Sequence, residues 1–367
     1  MSGIFAPSAD SVVTEHTTRL SRGELFHIEA GPQDGPVLIF VHGWPEISLS
    51  YRHQLPTFGS LGFRAIAVDM PGHGRSVVHN THEDYSYENV SKDLIELIDN
   101  LGIEKAVWIG HDQGSQVVWT LAAHHPERSH AVASLCVPYR MVEYGGADHV
   151  IAMVDRDVYP EDQYPEGPWD YMRFYEERFE DACAYFDEHA ADFFKVMFAP
   201  GDPDSVGKPI ELTSNVRKRG GWFGDNVPPP KVDLDTSIMD QQTYTAFVAA
   251  FKRTGFFGAD SYYMNHKANI EYTKTAKNDG YLDIPALFLS AAYDPWCDTE
   301  NNWKPGVQMR RHCLNLTAYH IDCGHWMQQE APTQVNAAIA NWLATSVKLW
   351  PALPTPNWRE IPDDYQD

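Results

Sequence analysis

Residues 108 to 115 of the chain read WIGHDQGS and contain the pattern Gly-x-Asp-x-Gly. An apolar run ends at Gly110, and Gly114 follows four residues later, which is typical of a sharp turn from a strand into a helix. Such a turn usually carries a serine at its centre and presents that side chain to a reaction site. Here the central residue is Asp112. The pattern therefore raises the question of which chemistry a carboxylate performs where a hydroxyl is expected.

A carboxylate at this position favours alkylation chemistry over acyl transfer. A serine must lose a proton before it attacks, whereas an Asp side chain, with a reference pKa of about 4, is already ionised at neutral pH. Its attack on an ester carbonyl would give an unproductive anhydride, but its attack on a saturated carbon displaces a leaving group and gives an alkyl ester. Asp112 is therefore predicted to be alkylated by an epoxide or an alkyl halide.

Two further residues complete a set that can finish such a reaction. Asp294 follows the apolar run at 284–291, and His325 follows the run at 314–319. Nucleophile, acid and His in this chain order match one known arrangement of catalytic triads. A single Asp at a strand end more often caps the next helix. Asp112, Asp294 and His325 in this chain order, which we call the ordered set, instead favour catalysis. His325 is then predicted to activate the water that hydrolyses the Asp112 ester.

The elements that must position these residues are predicted from hydrophobic patterns. Short apolar runs that are nearly continuous are typical of strands buried on both faces, as in a parallel sheet covered by helices. Six such runs occur, at 36–41, 63–68, 105–109, 131–137, 284–291 and 314–319. Helical periods lie between them, and in the segment 86–102 Ser86 can cap the start of a helix and Gly102 its end. The alternation predicts an α/β fold with a doubly wound, mostly parallel sheet.

The alternation stops between residues 141 and 275, and this break predicts the domain organisation. The segment is rich in aromatic and acidic residues, and its longer periodic stretches are helical. We expect a helical cap at 141–275 inserted into a core formed by residues 1–140 and 276–350. Residues 351–367 are Pro-rich and polar, which predicts a surface tail.

Five short motifs resemble those of the α/β-hydrolase superfamily and, within it, the epoxide hydrolases. They occur in the family's order over roughly residues 20 to 345. The motifs are HGWPE (42–46), DMPGHGRS (69–76), GHDQG (110–114), AAYD (291–294) and DCGHW (322–326). The resemblance implies the α/β-hydrolase fold with a helical cap, and an enzyme that opens an epoxide to a vicinal diol through a covalent ester.

The resemblance also assigns roles to the three residues of the ordered set. It implies that Asp112 is the nucleophile, that His325 is the base and that Asp294 orients the imidazole ring. Some relatives supply the acid from the position after the run at 131–137, which here is Glu143. Glu143 is therefore the alternative to Asp294.

The first motif implies an oxyanion hole beside the nucleophile. The family stabilises the developing negative charge with two backbone N–H groups, which here match Trp44 and Gln113. His42, Gly43 and Pro45 complete the structural motif around this site. The Trp44–Pro45 bond resembles a cis peptide of the family, and a proline makes the cis form accessible.

Epoxide opening needs a general acid because the leaving oxygen stays on the product. Epoxide hydrolases place two cap tyrosines above the nucleophile. The segment WDYMRFY resembles the first tyrosine segment and selects Tyr171, and GFFGADSYYMNH resembles the second and selects Tyr263. Tyr175 and Tyr262 are close competitors for these two positions.

Two other functions are compatible with the same motifs. A haloalkane or haloacid dehalogenase uses the same Asp–His–Asp triad, although many dehalogenases hold the halide with a Trp after the nucleophile, where this chain has Gln113. Gln113 also makes the floor of the predicted pocket more polar than in many relatives. A non-catalytic ligand-binding receptor of the same fold is the second alternative.

The composition excludes several classes of partner. With 28 Lys and Arg against 51 Asp and Glu, the net charge is −23, which disfavours binding to nucleic acid and anionic lipid. The first 20 residues lack a basic start followed by a long apolar stretch, so we expect no signal peptide, and no run approaches the length of about 18 apolar residues that a membrane span needs. The five cysteines show no Cys-x-x-Cys spacing, and a His-Glu-x-x-His motif is absent. We therefore expect a cytoplasmic protein without metal or cofactor that acts on a small, apolar or aromatic epoxide; its oligomeric state is not readable from the sequence.

Overall fold

The computed structural model describes residues 12–352, and within them eight strands form one sheet. The strands are β1 Thr14–Leu20, β2 Gly23–Ala30, β3 Val37–Val41, β4 Arg64–Val68, β5 Ala106–His111, β6 Ser129–Leu135, β7 Leu282–Ala291 and β8 Cys313–Ile321. Their order in the sheet is β1-β2-β4-β3-β5-β6-β7-β8. The pairs β1–β2 and β2–β4 are antiparallel, and the other pairs are parallel. The predicted α/β, mostly parallel fold is confirmed.

The six predicted strands correspond to β3 to β8, with ends that differ by a few residues. The hairpin β1–β2 was not predicted. Most residues of β1 are exposed, so the strand lacks the continuous apolar run that marks a strand buried on both faces.

Helices of the core cover both faces of the sheet. They are α1 Gln54–Ser60, α2 Tyr87–Asn100, α3 Gln113–His124, α11 Val307–His312, α12 Met327–Glu330 and α13 Pro332–Trp342. Helix α2 shows the predicted local signals, because the Ser86 hydroxyl accepts a hydrogen bond from the Asn89 N–H, and Gly102 adopts a positive φ of 69° after the last turn. Its residues Val90 and Leu94 are fully buried between the helix and the sheet.

The range 141–275 contains only helices as regular structure. They are α4 Gly146–Ala152, α5 Asp170–Met197, α6 Glu211–Ser214, α7 Val216–Arg219, α8 Gln241–Thr254, α9 Phe257–Ser261 and α10 His266–Thr273. Their buried aromatic and methionine side chains form one hydrophobic cluster that also includes Trp44 and Trp326 from the sheet domain. This helical layer therefore packs directly over the ends of the strands that precede Trp44 and Trp326. We refer to it below as the cap.

The predicted surface tail lies almost entirely outside the described residues. Only Pro351 and Ala352 of the predicted tail 351–367 are described, and the rest of that segment lies outside the described residues. All five cysteines are free thiols. Across the described range, no helix combines the length and the apolar character that crossing a membrane requires.

Candidate active site

Asp112 lies at a tight turn between β5 and α3. Its backbone has a φ of 49° and a ψ of −122°, a conformation that a non-glycine residue rarely adopts. A Cβ atom on Gly110 would collide with Gly114, one on Gly114 would collide with Val41, and one on Gly43 would collide with Asp112 itself. The three glycines therefore allow the close crossing that turns the Asp112 side chain out of the sheet.

The structure brings the other two residues of the ordered set to Asp112. Nε2 of His325 lies 3.7 Å from Oδ2 of Asp112, and Nδ1 of His325 lies 2.7 Å from Oδ2 of Asp294. The second oxygen of Asp294 accepts the backbone N–H groups of Trp296 and Cys297 at 2.9 and 3.0 Å. The imidazole ring is thus held between two carboxylates.

The charges of Asp112, Asp294 and His325 determine the ionisation states of these three side chains. Burial alone would lower the pKa of His325, but the charges and hydrogen bonds of Asp294 and Asp112 outweigh burial and raise that pKa to about 10. Burial would raise the pKa of Asp112 and of Asp294, but His325 outweighs it and holds both pKa values below their usual range. Near neutral pH the free site therefore contains two carboxylates and one imidazolium.

Glu143, the alternative acid, lies in a different environment. Its carboxylate accepts the backbone N–H of Arg140, and its backbone carbonyl accepts the hydroxyl of Thr273. Burial raises the pKa of Glu143 to about 7. The structure places Asp294, and not Glu143, against the ring of His325.

The two predicted oxyanion donors flank Asp112. The backbone N–H of Trp44 donates to Oδ1 of Asp112 at 2.9 Å. Gln113 is the first residue of α3, where a backbone N–H has no acceptor within the helix. The Trp44–Pro45 peptide is cis. His42 is buried beneath this loop, with Nδ1 donating to the Gly43 carbonyl at 2.8 Å and Nε2 accepting the Met70 N–H at 3.0 Å.

A second buried pair of residues, Glu46 and His111, supports the site. This pair was not predicted from the sequence. Nδ1 of His111 lies 2.6 Å from Oε2 of Glu46, and Nε2 of His111 lies 2.8 Å from the carbonyl oxygen of His325. Both ring nitrogens of His111 thus lie within hydrogen-bonding distance of an oxygen atom. Oε2 of Glu46 also accepts the Gly43 N–H at 2.9 Å. Glu46 and His111 therefore connect the loop that contains Trp44 to the backbone of His325. Both residues lie in the sequence motifs HGWPE and GHDQG, and this position was the signal that could have identified them.

Tyr171 and Tyr263 line the same cavity as Asp112, and their ring centroids are 5.5 Å apart. Tyr175 stacks on Tyr263 at 5.0 Å but does not line the cavity. Tyr262 reaches the cavity, but its hydroxyl donates to the Pro71 carbonyl at 3.1 Å. Burial, together with the negative charge of Asp112, raises the pKa of Tyr171 and of Tyr263 well above the usual value, so both phenols keep their protons.

The cavity lies between the cap and the sheet domain and has a volume of about 680 Å³ including its opening to solvent. Most of its wall is apolar or aromatic, and its floor contains Gln113 and Gln116 from α3. The wall residues are Val137, Met141, Val142, Trp169, Met172, Met197, Trp222, Trp296 and Trp326.

Within residues 12–352, two groups of side chains have the spacing of metal ligands, and both include His325. One adds His111 and Cys136, and the other adds Asp294 and Cys297. Burial, followed by the charge of Asp294, raises the pKa of both thiols well above the usual value. Both thiols are therefore protonated in the free protein. The expectation of a site without metal stays a prediction.

Comparisons with known proteins agree on the family. A family model described as alpha/beta hydrolase fold matches residues 36–332. Bifunctional epoxide hydrolase 2 of Sus scrofa is 32% identical over 330 residues, which cover 88% of this chain and 54% of that protein. The chain thus spans about half the length of this relative.

Two mycobacterial proteins match over nearly their whole length. Epoxide hydrolase A of Mycobacterium tuberculosis is 30% identical over 328 residues, which cover 86% of this chain and 92% of that protein. The crystal structure of epoxide hydrolase A from Mycobacterium thermoresistibile matches with a TM-score of 0.72 and 30% identity, covering 91% of this chain and 99% of that one. Fold, motif order and these matches together establish that the chain belongs to the α/β-hydrolase fold family and, within it, to the epoxide hydrolases.

Proposed function

We propose that the protein hydrolyses epoxides to vicinal diols through a covalent ester on Asp112. The observation that carries this proposal is one cavity that combines the Asp112 carboxylate with two protonated phenols, Tyr171 and Tyr263. A carboxylate nucleophile and proton donors for the leaving oxygen are the two requirements of ring opening.

In the first step, an oxygen of Asp112 attacks a ring carbon of the epoxide. The carbon–oxygen bond breaks, and the leaving oxygen takes a proton from Tyr171 or Tyr263. The phenolate that remains can regain a proton from the imidazolium of His325, because esterification neutralises Asp112. One of the two charges that raise the pKa of His325 is then gone, so this pKa falls and the ring becomes a neutral base.

In the second step, neutral His325 takes a proton from water, whose oxygen attacks the carbonyl carbon of the ester. The N–H groups of Trp44 and Gln113 are suited to stabilise the oxyanion. When the intermediate collapses, the diol oxygen takes a proton from His325. Asp112 then returns its own proton to the ring, and the ion pair of the free enzyme is restored.

The two steps should respond differently to pH. Alkylation needs ionised Asp112, whose pKa His325 holds below its usual range, so it should persist at about pH 5. Ester hydrolysis needs neutral His325, and it should slow as pH falls because the imidazolium form is retained. The ester should therefore accumulate during turnover at low pH, which rapid-quench intact-mass analysis at about pH 5 and about pH 8 can measure. A parallel decline of both steps would contradict the assigned roles.

An activity screen distinguishes this function from its alternatives. Styrene oxide and aliphatic epoxides should yield diols, whereas chloroalkanes and chloroacetate should release little halide. Two phenols above the nucleophile suit an epoxide oxygen, which needs a proton, better than a halide, which leaves as an anion. Halide release without diol formation would favour the dehalogenase, and binding without turnover would favour a receptor.

The surroundings of the site support a small-molecule substrate with apolar or aromatic substituents, because tryptophan and methionine form most of the wall. Free thiols at all five cysteines fit a reducing compartment. We therefore infer that the protein acts on such epoxides in the cytoplasm.

A further inference from the structure

Helix α3 presents two glutamines to the cavity that contains Asp112. Gln113 and Gln116 are three residues apart, so they share one face of the helix, and both line the cavity. Only 4% and 6% of their surfaces are exposed. The hydroxyl of Tyr87 donates to Oε1 of Gln116. Within residues 12–352, neither side-chain amide nitrogen has a protein acceptor.

Amide N–H groups that border an enclosed cavity and lack a protein acceptor need a ligand or water to complete their hydrogen bonds. Here the remaining donors of Gln113 and Gln116 border the space that a substrate of Asp112 would occupy. The other donors around this space include the Tyr171 and Tyr263 phenols, which the proposed mechanism assigns to the epoxide oxygen, and the indole N–H of Trp222, which has no partner among the described residues. The two amides therefore form a pair of amide donors on α3, separate from the phenols that the mechanism uses.

The charges around the cavity indicate that the complementary group is neutral. Among the described residues that line it, His325 carries the only positive charge, and this ring is already paired with Asp112 and Asp294. Burial lowers the pKa of His266, which also lines the cavity, so its ring is neutral. A carboxylate or phosphate on the substrate would face the triad carboxylates without a cation of its own.

Helix geometry sets the distance between this position and the reacting carbon. Gln113 follows Asp112 directly, and Gln116 lies one turn further, about 6 Å along the helix axis from Asp112. We propose that Gln113 and Gln116 form a subsite that donates hydrogen bonds to a neutral oxygen of the substrate, about two to four bonds from the epoxide ring. Preferred substrates are then epoxides that carry an ether, ester or amide oxygen. This inference rests on the proposed epoxide hydrolysis.

A matched pair of substrates tests the subsite. Butyl glycidyl ether and 1,2-epoxyoctane have the same chain length and differ by one ether oxygen in place of a methylene. The measured quantity is the ratio of kcat/KM for the ether to kcat/KM for the alkyl epoxide. Comparing this ratio between variants cancels the intrinsic difference in reactivity of the two rings.

The double variant Gln113→Met, Gln116→Met keeps the side-chain length and the backbone N–H of residue 113 but removes both amides. We expect its ratio to fall about fivefold below that of the wild type, equivalent to about 1 kcal/mol and typical of one neutral hydrogen bond. The control Gln242→Met makes the same exchange at an exposed position of α8 that does not line the cavity, and it should leave the ratio unchanged. If the double variant does not fold, the two single variants provide the same comparison.

The possible outcomes separate this inference from the proposed function. Diol formation from both substrates with an unchanged ratio in the glutamine variants would overturn the subsite, since the amides would then bind only water. Failure of the wild type to form diol from either substrate would overturn the proposed function and the subsite together. A fall in the ratio confined to the glutamine variants would support both.

Discussion

The variant His325→Gln should form the Asp112 ester on exposure to an epoxide and should fail to release it. His325 serves the hydrolytic step as a base. Alkylation needs only ionised Asp112, whose reference pKa is about 4 and to which the Trp44 N–H still donates in the variant, although the variant loses the His325 charge that lowers this pKa. Glutamine retains a polar side chain but cannot take a proton from water. Loss of a positioned general base should slow hydrolysis by about 10³-fold or more. Intact-mass analysis should show a persistent adduct of one substrate per chain.

A second histidine provides the control for this experiment. His320 lies on β8 with about half of its side chain exposed and contacts Glu300 and Asp322. The variant His320→Gln should show normal turnover and no lasting adduct. A folded His325→Gln protein that is never alkylated would contradict the separation of the two steps.

The double variant Tyr171→Phe, Tyr263→Phe should nearly abolish ring opening. Each phenol can donate a proton to the leaving oxygen, so one can partly replace the other. We expect each single variant to slow alkylation about tenfold and the double variant to slow it about 10³-fold, within the range of general-acid catalysis. Stopped-flow measurement of the first turnover isolates this step.

Tyr175 is the matched control for the loss of a hydroxyl. Its ring stacks on Tyr263, and its buried hydroxyl has no hydrogen-bond partner among the described residues. Tyr175→Phe should therefore leave the alkylation rate unchanged. Unchanged ring opening in the Tyr171, Tyr263 double variant would remove the argument for an epoxide and favour a halide substrate.

The sheet and the ordered set could be predicted because their signals are local. Strands β3 to β7 appear as nearly continuous apolar runs, since helices cover both faces of the sheet there, whereas β8 at the other edge keeps an apolar run although most of its residues are exposed or half-buried. Asp112, Asp294 and His325 follow β5, β7 and β8, and the carboxyl ends of parallel strands meet at one edge of a sheet. Strand β1 was not predicted because it is mostly exposed and pairs antiparallel with β2 at the edge of the sheet.

Contacts between distant segments could not be predicted in the same way. Tyr171 and Tyr175 are four residues apart on one face of α5, so no local pattern distinguishes the cavity residue from its neighbour. The pair Glu46–His111 joins segments 65 residues apart in sequence. Whether Gln116 lines the cavity likewise depends on how the cap packs over α3. Only the packed structure determines these relations.

The origin of one oxygen atom tests the central proposal most directly. If Asp112 attacks the epoxide, the first oxygen delivered to the substrate comes from its carboxylate, and water leaves its own oxygen on Asp112. A single turnover in oxygen-18 water, with enzyme in excess, should therefore give an unlabelled diol and a labelled peptide containing Asp112. Mass spectrometry of both products measures the label. Oxygen-18 in the diol of that first turnover would show that water attacks the ring and would contradict Asp112 as the nucleophile.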